Sequence, residues 1–223
     1  VGCHSVMPCQ VASVLSMTLF LGICLPWAQA DLFPDKNLEA AVRLQVFPKP
    51  NAKKPLTAAD VSKVSEVKVK GKGISNLKGL EACKELASLE LPNNAIVDLS
   101  PLAGLERLQL LDLSGNRVRN LGPVGTLKAL QYLNLEHNQV VNLGPLANLS
   151  NMRSLYLTDN RIGNVAPLRK LTKLWSLYLG KNRLENISPL KPLSGLVTLG
   201  LEGNRIEDLS PLAGMGQLSK LFL

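Results

Sequence analysis

The sequence predicts an α/β solenoid with a parallel sheet along one face, and three observations support this prediction. An apolar pattern returns every 22 residues from Val64 to Leu223. At the start of each copy, leucines alternate with other residues, as they do in a short strand with one buried face. An asparagine follows this alternation at the same place in successive copies. A fixed period of this length is the signature of stacked repeats, in which each unit buries its apolar edge against its neighbours.

Each copy of the pattern is interpreted as one rib of the solenoid. In Leu-x-x-Leu-x-Leu, the alternating leucines point into the core from a short strand, and the ribs contribute one strand each. This is the pattern of a leucine-rich repeat, which predicts a horseshoe with a parallel concave sheet and short helical or 3-10 turns on the convex side. We expect the array to occupy residues 64–223, as about seven ribs and a truncated last copy that opens at Leu218.

The asparagine column predicts how neighbouring ribs are joined. Each asparagine lies where the chain leaves the strand, and its amide group both donates and accepts hydrogen bonds. A stack of such amides can therefore satisfy backbone groups in successive turns. Lys72 occupies this place in the first rib and cannot accept through its side chain, which marks that rib as atypical. The expected structural ladder is Asn94, Asn116, Asn138, Asn160, Asn182 and Asn204.

Proline marks the far side of most ribs. Ser100, Ser188 and Ser210 directly precede prolines, and a capping residue followed by proline is a common start for a helical turn. We therefore expect these serine side chains to cap the convex turns.

Residues 1–30 have the features of a secretory signal. An apolar run from Val11 to Trp27 is followed by Ala28-Gln29-Ala30, which places small residues where signal peptidase requires them. A retained membrane anchor is the alternative, although the run is short for a span. Cleavage after Ala30 would leave Cys83 as the only cysteine, at a core position of its rib.

Residues 31–63 are expected to form a helical cap on the first rib. Apolar residues spaced by four predict a helix over residues 36–46 with one buried face, formed by Leu38, Val42 and Val46. A proline-containing basic loop follows it. Thr57 then precedes a short second helix as its N-cap, with Asp60 completing a capping box.

Composition and motifs point away from enzymatic chemistry. Apolar residues make up 46% of the chain and aromatic residues only 4%, so the core must be aliphatic. After the expected cleavage His137 is the only histidine, and it belongs to no catalytic, metal-binding or phosphate-loop motif. We therefore expect no enzyme activity, no metal and no cofactor within these residues.

The formal net charge of +8 allows an anionic partner. Several lysines lie within residues 49–72, and we interpret them as part of a solvent-exposed surface. A second basic column, which leaves an anionic partner open, consists of Arg117, Arg161, Arg183 and Arg205. Acidic residues on the outward positions of the sheet argue against nucleic acid on that face.

The outward positions of the strands carry the candidate binding site. Exposed tyrosine and tryptophan beside small polar residues are typical of surfaces that bind proteins. The alternative is that these aromatic residues only shield the sheet, because they suit strands. The candidate partner-binding residues are Asp112, Tyr132, Asn134, Glu136, Tyr156, Trp175, Tyr178 and Phe222.

One phrase of the repeat carries a family resemblance. Residues 98–105 read Asp-Leu-Ser-Pro-Leu-Ala-Gly-Leu, and the phrase returns at 208–215 with methionine at its end. With the 22-residue period, this resembles the bacterial internalin family. The resemblance implies a solenoid with a helical N-terminal cap, and a protein ligand that often docks on the concave face.

These observations predict a non-enzymatic, protein-binding module of an exported leucine-rich-repeat protein, secreted or in the cell envelope. No membrane span is expected after signal cleavage. No polar capping unit closes the array, so we expect a further C-terminal portion. Two alternatives stay open: an intracellular scaffold or regulatory protein, and a sensor domain of a larger enzyme or receptor that continues past Leu223.

Overall fold

A computed structural model describes residues 31–47 and 54–223. Its central element is a parallel sheet of eight strands in chain order. Each strand residue pairs with the residue 22 positions later, as Leu111 does with Leu133. The predicted leucine-rich-repeat solenoid with a parallel sheet is thus confirmed. The strands are β1 Glu66–Lys68, β2 Ser88–Glu90, β3 Leu110–Asp112, β4 Tyr132–Asn134, β5 Ser154–Tyr156, β6 Ser176–Tyr178, β7 Thr198–Gly200 and β8 Lys220–Phe222.

Short 3-10 helices form the returning side of the ribs, as the proline pattern indicates. The capping that we expected from serine is wrong, because the N–H of Ser100 donates to Oδ1 of Asp98 at 2.9 Å. Asn186 and Asp208 accept in the same way from Ser188 and Ser210, at 2.8 Å. An oxygen two residues upstream thus starts each turn. The 3-10 helices are Leu80–Ala82, Ser100–Leu102, Gly122–Thr126, Gly144–Asn148, Ala166–Lys170, Ser188–Leu190 and Ser210–Leu212.

Stacked leucines form the core between the sheet and the turns. Leu133 and Leu155, the central residues of β4 and β5, are fully buried. Cys83 is equally buried at its core position, and burial raises the pKa of its thiol to about 12, with Glu81 acting in the same direction. The thiol therefore stays protonated at neutral pH and packs as a small apolar side chain.

The asparagine side chains connect each rib to the one before it. Oδ1 of Asn138 accepts from the N–H of Val118 at 2.8 Å. Its Nδ2 donates to the carbonyl groups of Leu113 and Leu135, at 2.9 and 3.1 Å. Corresponding Oδ1 contacts, to N–H groups twenty residues upstream, are made by Asn94, Asn116, Asn160, Asn182 and Asn204.

Two helices, α1 Lys36–Arg43 and α2 Ala58–Val61, precede the first rib and form the predicted helical cap. Helix α1 is shorter than the predicted residues 36–46, because the N–H groups of Gln45 and Val46 bond to carbonyl groups only three residues back. Val46 is nevertheless buried with the apolar face of α1. The capping box of Thr57 and Asp60 forms as predicted at α2.

The predicted signal segment, residues 1–30, and the loop at residues 48–53 lie outside the described residues. Within the part that the structure describes, no helix has the length and apolar character to cross a membrane.

Candidate protein-binding face

The outward positions of the sheet bring aromatic rings into contact. Tyr156 and Tyr178 are paired in neighbouring strands, and their ring centroids lie 4.9 Å apart at an interplanar angle of 10°. The ring of Tyr132 lies 5.2 Å from that of Tyr156, tilted by 41°. Phe222 is 6.3 Å from Tyr178. We call these four residues the aromatic column.

A glycine explains how the column crosses β7. Gly200 is paired with Tyr178 on one side and with Phe222 on the other. Two strand spacings would separate these residues by about 9.6 Å. Because Gly200 has no side chain, the Tyr178 ring can lie over it, with Cδ1 3.1 Å from the place a Cβ atom would take, and the two ring centroids approach to 6.3 Å.

The tyrosines are half-buried by their neighbours, and this affects their ionisation. Burial raises the pKa of Tyr132 to about 12, with the neighbouring Tyr156 and Asp112 acting in the same direction. Burial also raises the pKa of Tyr156, assisted by Tyr178 and Glu136. Both phenols are therefore neutral at physiological pH and offer an apolar ring with a hydroxyl group.

Trp175 lies directly before β6 and is 59% exposed. Among the described residues, the ring contacts that join the aromatic column do not include it. The structure therefore brings together the three predicted tyrosines and Phe222, while Trp175 is a separate exposed ring at the start of a strand.

The polar candidates have local structural roles. Oδ1 of Asp112 accepts from the N–H of Ser114 at 2.9 Å, and Oδ1 of Asn134 accepts from the N–H of Glu136 at 3.0 Å. Asn134 is also buried. These two side chains hold the chain where it leaves the strand. Glu136 remains half-buried on the face.

Two features of this face were not predicted from the sequence. Lys68 and Glu90 form an ion pair of 2.9 Å across β1 and β2. Glu202 lies over Gly180 and Gly200, and its Oε2 is buried without a hydrogen-bond partner. The available signal for Glu202 was the pair of glycines at outward positions where most other ribs carry side chains.

Titratable groups are scattered over the molecule. His137 is exposed, and its Nδ1 lies 2.8 Å from Oδ2 of Asp159 in the next rib. In the described ranges, no group of three or more His, Cys, Asp or Glu side chains is arranged to hold a metal ion.

Comparison with known proteins places this geometry in a family. A family model described as Leucine Rich repeats (2 copies) matches residues 106–148, 128–170 and 150–192. The crystal structure of internalin C2 from Listeria monocytogenes is 36% identical, with 85% of this chain and 83% of that chain covered and a TM-score of 0.81. No match was found among curated proteins.

Two further structures share the fold. An internalin of the same bacterium, inlF, is 28% identical, covering 85% of this chain and 69% of that one, with a TM-score of 0.65. The second is the leucine-rich-repeat ectodomain of the plant receptor kinase GASSHO1/SCHENGEN3 from Arabidopsis thaliana, in complex with CASPARIAN STRIP INTEGRITY FACTOR 2. It is 25% identical, covering 66% of this chain and 19% of that one, with a TM-score of 0.61. Given the identity and coverage shared with internalin C2, the chain belongs to the internalin-like leucine-rich-repeat proteins.

Proposed function

We propose that this protein is a non-enzymatic binding module whose protein partner docks on the concave sheet face, with the aromatic column as its centre. The observation that carries the proposal is the contact between half-buried rings on the outward side of three successive strands. Tyrosine supplies a large contact area and a hydroxyl group at low conformational cost, and it is enriched in the energetic centres of interfaces.

Rigidity supports this assignment. The rings are held against one another and against a sheet whose inward residues are fully buried, so little side-chain entropy is lost when a partner covers them. The solved plant ectodomain, a structural neighbour, is itself in complex with CASPARIAN STRIP INTEGRITY FACTOR 2.

Export completes the proposal. We place a signal at residues 1–30, the cap at 31–63 and the array at 64–223, so that the mature chain begins at Asp31 and is secreted or held in the cell envelope. The length of the exported chain, measured by mass spectrometry, tests the processing: a mature protein that retains Cys24 would contradict it.

The binding experiment uses a partner captured from the medium in which the protein is secreted. We expect Tyr156→Ala to weaken binding of that purified partner by about 1–4 kcal/mol, as loss of a central aromatic residue does. The measurement is a calorimetric titration, with circular dichroism to show that the variant is folded. Tyr178→Ala should act in the same direction.

The matched control is Phe47→Ala, which removes an exposed aromatic ring outside the sheet. It should leave the affinity unchanged. If Tyr156→Ala and Tyr178→Ala combined also leave it unchanged, the rings only shield the sheet, and the docking proposal is wrong.

A further inference from the structure

Two neighbouring ribs carry most of the net charge of the chain. The fifth and sixth ribs, residues 152–195, contain eight basic and two acidic residues, so they contribute +6 to the formal net charge of +8. The basic residues are Arg153, Arg161, Arg169, Lys170, Lys173, Lys181, Arg183 and Lys191. Charge of one sign gathered in one region produces a local potential that attracts ions of the opposite sign. These two ribs are therefore the part of the array that most favours an anionic ligand.

The chain does not neutralise these basic residues. The two acidic residues of the ribs are Asp159, which lies 2.8 Å from Nδ1 of His137, and Glu185, which lies 3.9 Å from Nη1 of Arg205. Both of these neighbours belong to other ribs. Within the described part of the chain, no ion pair joins a carboxylate to any of the eight basic side chains.

A cavity of about 530 Å³ lies among these residues on the returning side of the ribs. It is formed between the 3-10 helices Ala166–Lys170 and Ser188–Leu190, and further 3-10 helices precede and follow this pair. The cavity is therefore in the interior of the array. Its lining residues are Ala166, Arg169, Ser188, Pro189, Lys191 and Pro192.

The two basic residues of the lining are not part of the repeat pattern. Arg169 and Lys191 occupy equivalent positions, 22 residues apart. The other complete ribs have small residues or, in the first rib, glutamate at this position: Glu81, Ala103, Gly125, Ala147 and Ala213. Two like charges in adjacent ribs repel each other, and an anion between them would offset that repulsion.

A second cavity, near the first ribs, provides a comparison. Its volume is about 680 Å³, and Lys63, Lys84 and Arg107 are among the residues that line it. Glu85 lines it as well and forms an ion pair with Arg107. The chain thus supplies a carboxylate to this basic cavity, whereas the described residues that line the cavity of ribs five and six include no acidic residue.

The lining indicates the class of ligand. Arginine binds phosphate and carboxylate groups through paired hydrogen bonds, and lysine binds phosphate as a point charge. A phosphate monoester carries about −1.5 to −2 charges at pH 7, which suits two basic side chains better than a singly charged carboxylate does. The cavity has room for more than a phosphate ion, and Ala166, Pro189 and Pro192 offer apolar surface to an organic group.

We propose that this cavity binds the phosphate monoester of a small polyol or sugar. The phosphate group lies between Arg169 and Lys191, the Ser188 hydroxyl donates a hydrogen bond to it, and the organic part contacts the alanine and the prolines. The site is separated from the aromatic column by the leucine core, so the two binding surfaces do not overlap.

The test titrates the ¹⁵N-labelled protein with glycerol 3-phosphate, glycerate and glycerol, which share a carbon skeleton and differ in charge. The amide resonances of Arg169, Ser188 and Lys191 report on the cavity. We expect saturable shifts with glycerol 3-phosphate, weaker binding of glycerate and no binding of glycerol. Arg169→Ala and Lys191→Ala should each weaken glycerol 3-phosphate about tenfold or more, the loss expected for a hydrogen bond between charged groups.

The matched controls are Arg161→Ala and Lys181→Ala. Each removes the same type of residue, and the same charge, from the same rib as its counterpart, yet neither residue lines the cavity. Both variants should keep most of the affinity. If they weaken glycerol 3-phosphate as much as Arg169→Ala and Lys191→Ala do, the anion responds only to the general charge of the ribs, and the proposed site is wrong.

Three further results would also overturn the proposal: no saturable shift with glycerol 3-phosphate, equal affinity for glycerate, or binding of glycerol. Far-ultraviolet spectra identical to that of the parent protein show that the variants are folded. Tyr156→Ala should leave the affinity for glycerol 3-phosphate unchanged, because its ring lies on the sheet face. This inference and the docking proposal can therefore fail independently of each other.

Discussion

The first rib and the middle ribs are joined to the part of the chain that precedes them by different side chains. In a middle rib, one asparagine accepts from an N–H group of the preceding rib and donates to carbonyl groups of both ribs, as Asn138 does. In the first rib, Lys72 occupies the equivalent place. Its carbonyl oxygen accepts from Nδ2 of Asn37 in helix α1, at 2.8 Å.

Asp35 has an even larger role at this end. Its Oδ1 accepts from the N–H groups of Asn37 and Leu38, at 3.1 and 3.2 Å, and so caps helix α1. Its Oδ2 accepts from the N–H groups of Ser75 and Asn76 in the first rib, at 2.9 and 3.2 Å. One carboxylate therefore both starts the helix and fixes it to the array.

The comparison shows what a cap must provide. A middle rib receives its hydrogen bonds from a neighbour with the same sequence pattern, whereas the first rib has no such neighbour on its N-terminal side. Asp35 and Asn37 take over part of that role, and the fully buried Leu38 and Val42 cover the apolar edge. The periodic part of the structure and the cap thus depend on different residues, which can be tested separately.

The largest loss of stability is expected when a ladder asparagine of a middle rib is replaced. Asn138→Ala removes the Oδ1 acceptor and all the Nδ2 donor contacts, so the buried N–H of Val118 and several carbonyl groups lose their partner. We expect the free energy of unfolding to fall by about 1–3 kcal/mol, as it does when buried backbone groups are left unsatisfied. Urea titration followed by circular dichroism measures the change.

The control is Asn151→Ala, which removes an exposed side chain that donates to the carbonyl of Lys128 and accepts from Nζ of Lys173. Its cost should stay within about 0.5 kcal/mol. Equal losses for the two variants would show that the asparagine ladder contributes nothing special to stability.

A smaller, pH-dependent loss of stability is expected when Asp35 of the cap is replaced. Asp35→Ala removes an N-cap that also bonds to the rib, and we expect a loss of about 1–2 kcal/mol at neutral pH. Burial acts to raise the pKa of Asp35, but hydrogen bonds from the N–H groups of Ser75, Leu38, Asn76 and Asn37 outweigh it, so the pKa is lowered from its ordinary value. Because the pKa is lower in the folded state, the ionised carboxylate stabilises the fold at pH values above the unfolded-state pKa of about 3.9. This contribution is lost as the pH falls through the folded-state pKa.

The measurement compares urea titrations of the parent protein and Asp35→Ala between pH 7 and pH 2.5. The difference in stability should be largest at neutral pH and should shrink below about pH 4. Asp35→Asn retains one acceptor oxygen and should lie between the two. A difference that grows as the pH falls would contradict the assigned role of the carboxylate.

The periodic half of this comparison could be predicted from the sequence, and the cap only in outline. Strand register, core leucines and the asparagine column repeat, so each copy supports the prediction made for the others. Asp35 and Asn37 occur once, and their partners in the first rib are 35 to 41 residues away, so no local pattern connects them to that rib.

The binding face shows the same division. The contact of Tyr156 and Tyr178 follows from the period, because the two residues are 22 positions apart. The environment of Glu202 depends on the absence of side chains at Gly180 and Gly200, and on how three ribs pack. The serine caps were wrong for a related reason: Asp98 and Asn186 lie two residues upstream, and a hydroxyl group could not compete with oxygens already placed at the N–H groups.

The smallest change in stability is expected when Lys72 of the first rib is replaced. Its side chain is exposed, and the contacts that connect this residue to its surroundings use its backbone: the N–H donates to Oδ1 of Asn94 at 3.0 Å, and the carbonyl accepts from Asn37. Lys72→Ala keeps both backbone groups, so the free energy of unfolding should change by no more than about 0.5 kcal/mol. The same urea titration measures it, with Asn37→Ala as the comparison, because that variant removes the donor and should cost about 0.5–1.5 kcal/mol. If Lys72→Ala costs as much as Asn138→Ala, the lysine side chain supports the first rib as asparagine supports the others, and the division of roles between ladder and cap is wrong.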